Sequence, residues 1–359
     1  MLPKKSYQIH IYLYIQQKIL QLMQASTGTR VALWGFGGMN KIVLSYLLEK
    51  ELQVVAVIGH HDVGSDAGTI AGLEAPLGVK ITHPENAKEV FAEAHPNVAI
   101  LATRSFLKDL EGPLRACAES KVNVITIGEE AFYSWNTEPK LTQELDALFR
   151  QNSVTFTGTG YQDAYWLYLA SALVGVSLTV NRLVCHTQFN VDDYGMALCE
   201  AHGVGLTPEE FSAKFTPENS VPAYVWNSNE ALAVRLGWKI LKTSQVYQPI
   251  VATKDIHSKT LGGVLPIGKV TGLKAIVTTT AENQKGKVVE IETHQIGQVY
   301  YEDLEDYCQW STHGTPSLEI SCKKPDTVGI TCASAVNRIQ SVIAARPGYV
   351  TVNELGALI

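Results

Sequence analysis

The sequence predicts a doubly wound parallel α/β sheet followed by an α+β unit on a mostly antiparallel sheet. Three observations carry this. Apolar β runs and helical segments alternate from about 30 to 158. A glycine-rich turn lies between the first run and the first helix. Beyond about 160 the runs lengthen, alternate apolar with polar residues, and follow one another without helices between them.

The first strand is TRVALW (29–34), and IVLSYLLEK beyond the GFGGMNK turn has apolar residues at helical spacing. LQVVAVIG (52–59) is a second strand, apolar without alternation, as in a sheet covered on both faces. The helix PENAKEVFAEA (84–94) precedes the strand NVAILAT (97–103). The helix at 106–121 precedes the strand KVNVITIG, and the helix KLTQELDALFRQN precedes SVTFTGTG (153–160). This is the repeated βαβ pattern of the Rossmann type. AYWLYLASALVGV (164–176) reads as one buried helix. Long strands are expected over NRLVCHTQFNVDD, KVTGLKAIVTTTA, KVVEIETHQ and SLEISC. A final helix, DTVGITCASAVNRIQSVIAAR, ends at Pro347-Gly348 and has a register suited to packing back on the first domain. The expected division is an N-terminal extension over 1–27, a dinucleotide-binding domain over 28–157 completed by 338–359, and a substrate and dimerisation domain over 158–337.

Composition narrows the function classes. Net charge is −6, so the surface has no general attraction for nucleic-acid phosphates or anionic lipid. The six cysteines include no C-x-x-C pair, which predicts reduced thiols in a cytoplasmic protein and no metal site. No stretch is long and apolar enough to span a bilayer. The first 27 residues open with Lys4 and Lys5, followed by a Tyr-rich apolar run interrupted by Gln8, His10, Gln16, Gln17 and Lys18, a poor signal-peptide core that suits a surface helix or arm.

The chemistry begins at Gly35, Phe36, Gly37, Gly38, Met39 and Asn40. In a strand–turn–helix context the first glycine permits the tight turn. The second lets backbone N–H groups approach a pyrophosphate at the helix N-terminus. This predicts a nicotinamide dinucleotide, NADP or NAD. Asn40 stands where the fingerprint has its third glycine, and a small change in packing is expected. The second strand ends at His60 and His61 rather than at an acid, with Asp62 just beyond, so a 2′-phosphate is tolerated and NAD is not excluded. Arg104 is the nearest cation in the sequence. Ala102, Thr103, Arg104 and Ser105 end the next strand, at the cofactor crevice. Glu129 and Glu130 follow the strand after that. Either can complement a helix dipole, and either can handle protons beside the nicotinamide.

WGFGGMNK, ATRSF, TIGEEAFYSW, FTGTGYQDAYW, NVDDYG with GVGLTPEEF, and AVNRIQSVIAARPGYVTVNEL occur in this order. Together they resemble the group of 2,4-diaminopentanoate dehydrogenases and native amine dehydrogenases, which have a dihydrodipicolinate-reductase-like N-terminal domain. The resemblance implies NAD(P)-dependent interconversion of a small amine with a ketone or aldehyde and free ammonia, in a homodimer formed by pairing sheet faces. It places the catalytic carboxylate at Glu129, with Glu130 as second choice. It places pocket side chains at Gln162, Trp166 and Tyr194, in a cleft between the domains. Gln162-Asp163 stands where the diaminopentanoate branch has Asn-Pro, which weakens the case for a diamine. Asn337 is expected at the nicotinamide amide, and His202 as an ordinary loop residue. Trp166 and Tyr194 also suit plain packing roles. Three alternatives stay open: a dihydrodipicolinate reductase, although Asp255–Thr260 lacks that enzyme's substrate-gripping pattern; a carbon–oxygen dehydrogenase on the same fold; and a dinucleotide-binding sensor without turnover.

Overall fold

The computed structural model describes residues 28–216 and 219–358, so the expected extension over 1–27 lies outside the described residues. The chain forms two compact units. One comprises 28–131, Glu138–Gly160 and 331–358; the other comprises Phe132–Thr137 and Tyr161–Ile330.

In unit one, strands and helices alternate in the order β1 (Arg30–Trp34), α1 (Gly38–Glu49), β2 (Gln53–Ile58), α2 (Ala67–Ala71), β3 (Ile81–Thr82), α3 (Ala87–Ala94), β4 (Val98–Leu101), α4 (Leu107–Glu119), β5 (Asn123–Thr126), α5 (Pro139–Gln151) and β6 (Thr155–Gly158). The strands pair in parallel as β3-β2-β1-β4-β5-β6. Residues of both parities in β1 and β4 are buried, from Val31 to Trp34 and from Val98 to Leu101. Alternate side chains point to opposite faces, so both faces are covered and the strands read as unbroken apolar runs. The strand order reverses between β1 and β4, and loops at that switch point gather ligand-binding residues.

Unit two opens differently from the expected helix. Asp163–Leu169 forms a π-helical turn and only Ala170–Gly175 is α-helical (α6). The wider winding coincides with three bulky residues packed inward, Tyr165, Trp166 and Leu167, and such bulges recur at functional sites. There follow β7 (Thr179–Asn190), α7 (Met196–Ala201), α8 (Pro208–Lys214), α9 (Tyr224–Arg235), β8 (Lys239–Val251), the short pair β9 (Ile256–Ser258) and β10 (Gly263–Leu265), β11 (Val270–Glu282), β12 (Val288–Gln298), β13 (Tyr307–Thr315) and β14 (Leu318–Lys323). The sheet order is β14-β13-β7-β12-β11-β8, antiparallel except for β7 with β12. On one face Trp310 and Thr293 are buried. On the other, Glu319, Ser311, Val184, Glu292 and Thr278 lie in register across five strands; Val184 is buried and the other four remain partly or fully exposed.

The final helix is two helices, α10 (Thr327–Asn337) and α11 (Ile339–Ile343), broken at Arg338, whose Nη1 donates to the Gly356 carbonyl at 2.6 Å. After it, β15 (Gly348–Tyr349) adds a seventh parallel strand beside β6.

Candidate active site

Helix α1 starts at a loop built for close approach. Gly35 has φ of +86°, and a Cβ there would stand 2.4 Å from the Ala102 carbonyl oxygen, so only glycine fits where the loops after β1 and β4 meet. At Gly37 and Gly38 a Cβ would meet nothing within 4 Å, and both residues are exposed. No side chain caps α1, whose first-turn N–H groups have no intrahelical acceptors. A diphosphate seated here would meet free donors and the positive end of the helix dipole, so the residues present fit a dinucleotide. Asn40 does more than alter packing. It is fully buried, and its Nδ2 donates to the carbonyls of Trp34 (3.0 Å), Gly35 (3.1 Å) and Ile100 (3.2 Å), tying the loop to the ends of β1 and β4. Its Oδ1 is buried without a hydrogen-bond partner.

His60 and His61 are exposed at the end of β2, where the His60 ring meets that of His83 edge-on at 5.2 Å. Thr103, Arg104 and Ser105 are exposed after β4, and Ala102 is half-buried. Asn337 lies elsewhere. Its Oδ1 accepts from Lys50 Nζ at 2.5 Å at the C-terminal end of α1, about 18 Å along a 12-residue helix from the glycine loop. The expectation that it reaches the nicotinamide amide is therefore corrected.

The adjacent acids after β5 have separate fates. Glu130 is buried, and its Oε2 accepts the Leu107 N–H at 2.7 Å, satisfying a first-turn donor of α4, while its own N–H donates to Ser105 O at 3.1 Å. A Cβ on Gly128 would stand 2.7 Å from the Arg104 carbonyl oxygen, so glycine lets the two loops close together. Glu129 opens the 3₁₀ turn Glu129–Phe132. Burial raises its carboxyl above the usual range, partly offset by the Ser105 hydroxyl and by its own backbone N–H. A carboxyl shifted in this direction is better suited to give as well as take a proton.

In unit two, the Gln162 side chain is nearly buried and Tyr194 is 40% exposed, its hydroxyl bonded to Thr327 Oγ1. Trp166 has no exposed surface. Its Nε1 donates to Asn229 Oδ1 at 3.1 Å and its ring packs edge-on to Trp310 at 5.6 Å. The expectation of a pocket-lining Trp166 is corrected to a core anchor, because the indole is enclosed on all sides. His202 is buried, bonded through Nδ1 to the Leu198 carbonyl (2.9 Å), and burial lowers its pKa to about 4.

Residues 167–358, just over half of the chain, match the C-terminal domain of 2,4-diaminopentanoate dehydrogenase. The chain belongs to the 2,4-diaminopentanoate dehydrogenase family. It is 29% identical over 340 residues to the 2,4-diaminopentanoate dehydrogenase of Acetoanaerobium sticklandii, covering 91% of this chain and 93% of that one. It is similar to the structure of an amine dehydrogenase from Mycobacterium smegmatis, with TM-score 0.84, 36% identity, and 92% and 97% of the two chains covered. A probable dehydrogenase from Thermotoga maritima shares the fold at 10% identity and TM-score 0.56. The protein is an NAD(P)-dependent oxidoreductase.

Two features of this dehydrogenase escaped the sequence reading. One is an open pocket of about 500 Å³ within unit two, lined by Tyr133, Asn136, Glu230, Trp238, Lys242 and Thr243 among others; Gln162, Trp166 and Tyr194 are not in its lining. The other is Asn227-Ser228-Asn229-Glu230 in α9, four consecutive polar residues that are all buried. Their signal was present: such a run between the apolar neighbours of YVW and ALAV cannot be a solvent face.

Proposed function

We propose that this protein interconverts a small ketone or aldehyde and ammonia with the corresponding primary amine, using NADP or NAD. Glu129 is the proton-handling carboxyl. The observation that carries this is the division of labour after β5: Glu130 is spent on the Leu107 N–H, while burial keeps Glu129 above the ordinary carboxylate range.

Ammonia adds to the carbonyl carbon to give a carbinolamine. Glu129 in its acid form protonates the departing hydroxyl, water leaves, and the resulting carboxylate stands beside a cationic C=N group. A reduced nicotinamide held by the Gly35–Asn40 loop would supply the hydride that this carbon takes up. In reverse, the carboxylate takes the proton back as water adds. The Gly35–Asn40 loop would hold the dinucleotide, with Ala102, Thr103, Arg104 and Ser105 beside it. The imidazoles of His60 and His61 tolerate a 2′-phosphate. Gln162 and Tyr194 are proposed for substrate selection, as the motif resemblance implies.

The exposed sheet face of unit two fits a homodimer, and six free thiols fit a reducing, cytoplasmic setting. No helix among the described residues is long and apolar enough to cross a membrane. The test follows NADH and NADPH oxidation with small ketones and aldehydes, with and without ammonium. Oxidation that requires ammonium supports the proposal. Activity with ketone alone would indicate a carbon–oxygen reductase, and no signal with any carbonyl would indicate a sensor.

A further inference from the structure

Three cysteines gather on one face of the unit-two sheet. Cys308 on β13 lies directly opposite Cys322 on β14. On its other side it lies opposite Thr187 of β7, two residues beyond Cys185. Residues directly opposite one another, or two apart on a strand, share a face, so all three thiols stand on the side that carries Trp310. Cys185 and Cys308 are 0% exposed. Cys322, on the edge strand, is half-exposed, whereas the other five cysteines are buried. The three sulfurs do not converge on one point as metal ligands do. Cys308 Sγ lies 4.0 Å from Cys185 Sγ, while Cys322 Sγ meets the Tyr165 hydroxyl at 3.1 Å.

Backbone spacing decides which pair can bond. Directly opposed residues of an antiparallel ladder have Cα atoms about 4.5 or 5.5 Å apart, both inside the disulfide range of about 4.4–6.8 Å. Cys185 and Cys308 are diagonal neighbours, a relation that sets residues about 7–8 Å apart, beyond that range although their sulfurs lean together. The protons favour the same choice. The hydrogen bond with Cys185 draws the Cys308 thiol below its ordinary value, while burial pushes the Cys185 thiol well above its own. Burial, with Cys322 beside it, pushes the Tyr165 phenol up, so it keeps its proton and is the donor that holds the Cys322 sulfur. Stacking on Tyr161, with ring centroids 4.2 Å apart, fixes the Tyr165 ring.

We propose that Cys322 is a peroxide-reactive thiol and Cys308 its resolving partner, the two closing a reversible disulfide across β13 and β14. The Cys322 thiolate attacks one oxygen of a peroxide, the O–O bond breaks, and water or an alcohol leaves, giving a sulfenic acid. A turn about the Cα–Cβ bond of Cys308 brings its sulfur from Cys185 to Cys322. It attacks the sulfenic sulfur, the S–O bond breaks, and the hydroxyl leaves as water with the Cys308 proton. Two electrons pass from the two thiols to the peroxide, and a dithiol reductant restores them. Both thiols belong to unit two and neither takes part in the proposed amine chemistry.

The test treats the native protein with hydrogen peroxide, blocks remaining thiols, and maps the products by mass spectrometry. Cleavage after Glu319 separates the two cysteines, so a bond between them joins two fragments. The expected result is a joined Cys308–Cys322 pair that dithiothreitol releases. Cys322→Ser, at a half-exposed site, should abolish it and leave Cys308 reduced. Cys308→Ser should leave a sulfenic acid at Cys322 that dimedone traps. A Cys185–Cys308 bond in place of this pair, a sulfinic acid at Cys322 with no joined fragments in the unsubstituted protein, or a Cys322 that stays reduced would each overturn the proposal.

Discussion

At the start of α1, three glycines bring backbone to the surface, and the first-turn donors are left without a side-chain cap. In α9, four polar side chains are drawn into the interior and bonded to Tyr133, Asn136, Thr137, Trp166 and Thr293. The first region keeps donors free for a ligand. The second uses donors and acceptors up, to fix other parts of the protein. Substitutions in the first should therefore cost binding, and in the second stability or geometry.

Trp166→Ala should have the largest effect on stability. It removes a fully buried indole and one of the donors to Asn229, for about 3–5 kcal/mol of unfolding free energy in urea titration. A cost below about 1 kcal/mol would mean the site collapses easily and Trp166 is no anchor.

His202 should come next. It is neutral in the fold with a pKa of about 4, against 6.5 for an ordinary imidazole. Its contribution is therefore complete above about 6.5 and is lost as pH falls toward 4, amounting to about 3 kcal/mol. Thermal unfolding between pH 7 and 4 should show this fall, and His202→Asn should flatten it.

Gly38→Ala sharpens the contrast from the other side. Its Cβ would enter open space, so stability should change by no more than about 0.5 kcal/mol. Cofactor affinity should fall about tenfold, or ~1.4 kcal/mol, by fluorescence titration, because the methyl group occupies the approach to the α1 donors. Unchanged affinity would place the diphosphate elsewhere.

On stability, Glu129 itself has an effect that depends on pH. Its raised pKa means the folded state favours the protonated form, so its stabilising share is complete at low pH and lost as pH rises through the raised pKa. Glu129→Gln should thus melt higher than wild type at pH 8, with the advantage vanishing near pH 4.

Unit one was legible because its signals are local: unbroken apolar strands, a glycine turn between strand and helix, acids just after a strand end. What separates Glu129 from Glu130 was not local. It depends on the Leu107 N–H, 23 residues away. Asn40 read as a fault in a motif, and only the fold shows its amide reaching Ile100, 60 residues on. In unit two, β7, β11, β12 and β14 were visible from their alternation. β8 and β13 were missed because KILKTSQVYQPIV and YCQWSTHGT carry polar residues on both parities. Trp166 could be read either as pocket or as core, since an aromatic beside a helix start looks the same in both; its partners Asn229 and Trp310 decide for core.

The most direct test of the central claim is Glu129→Gln with turnover and cofactor binding measured on the same preparation. The account predicts that ammonium-dependent turnover falls by about 10²–10⁴-fold while affinity for NADPH or NADH stays near that of wild type. Turnover that survives the substitution would contradict it, as would loss of cofactor binding in step with loss of activity.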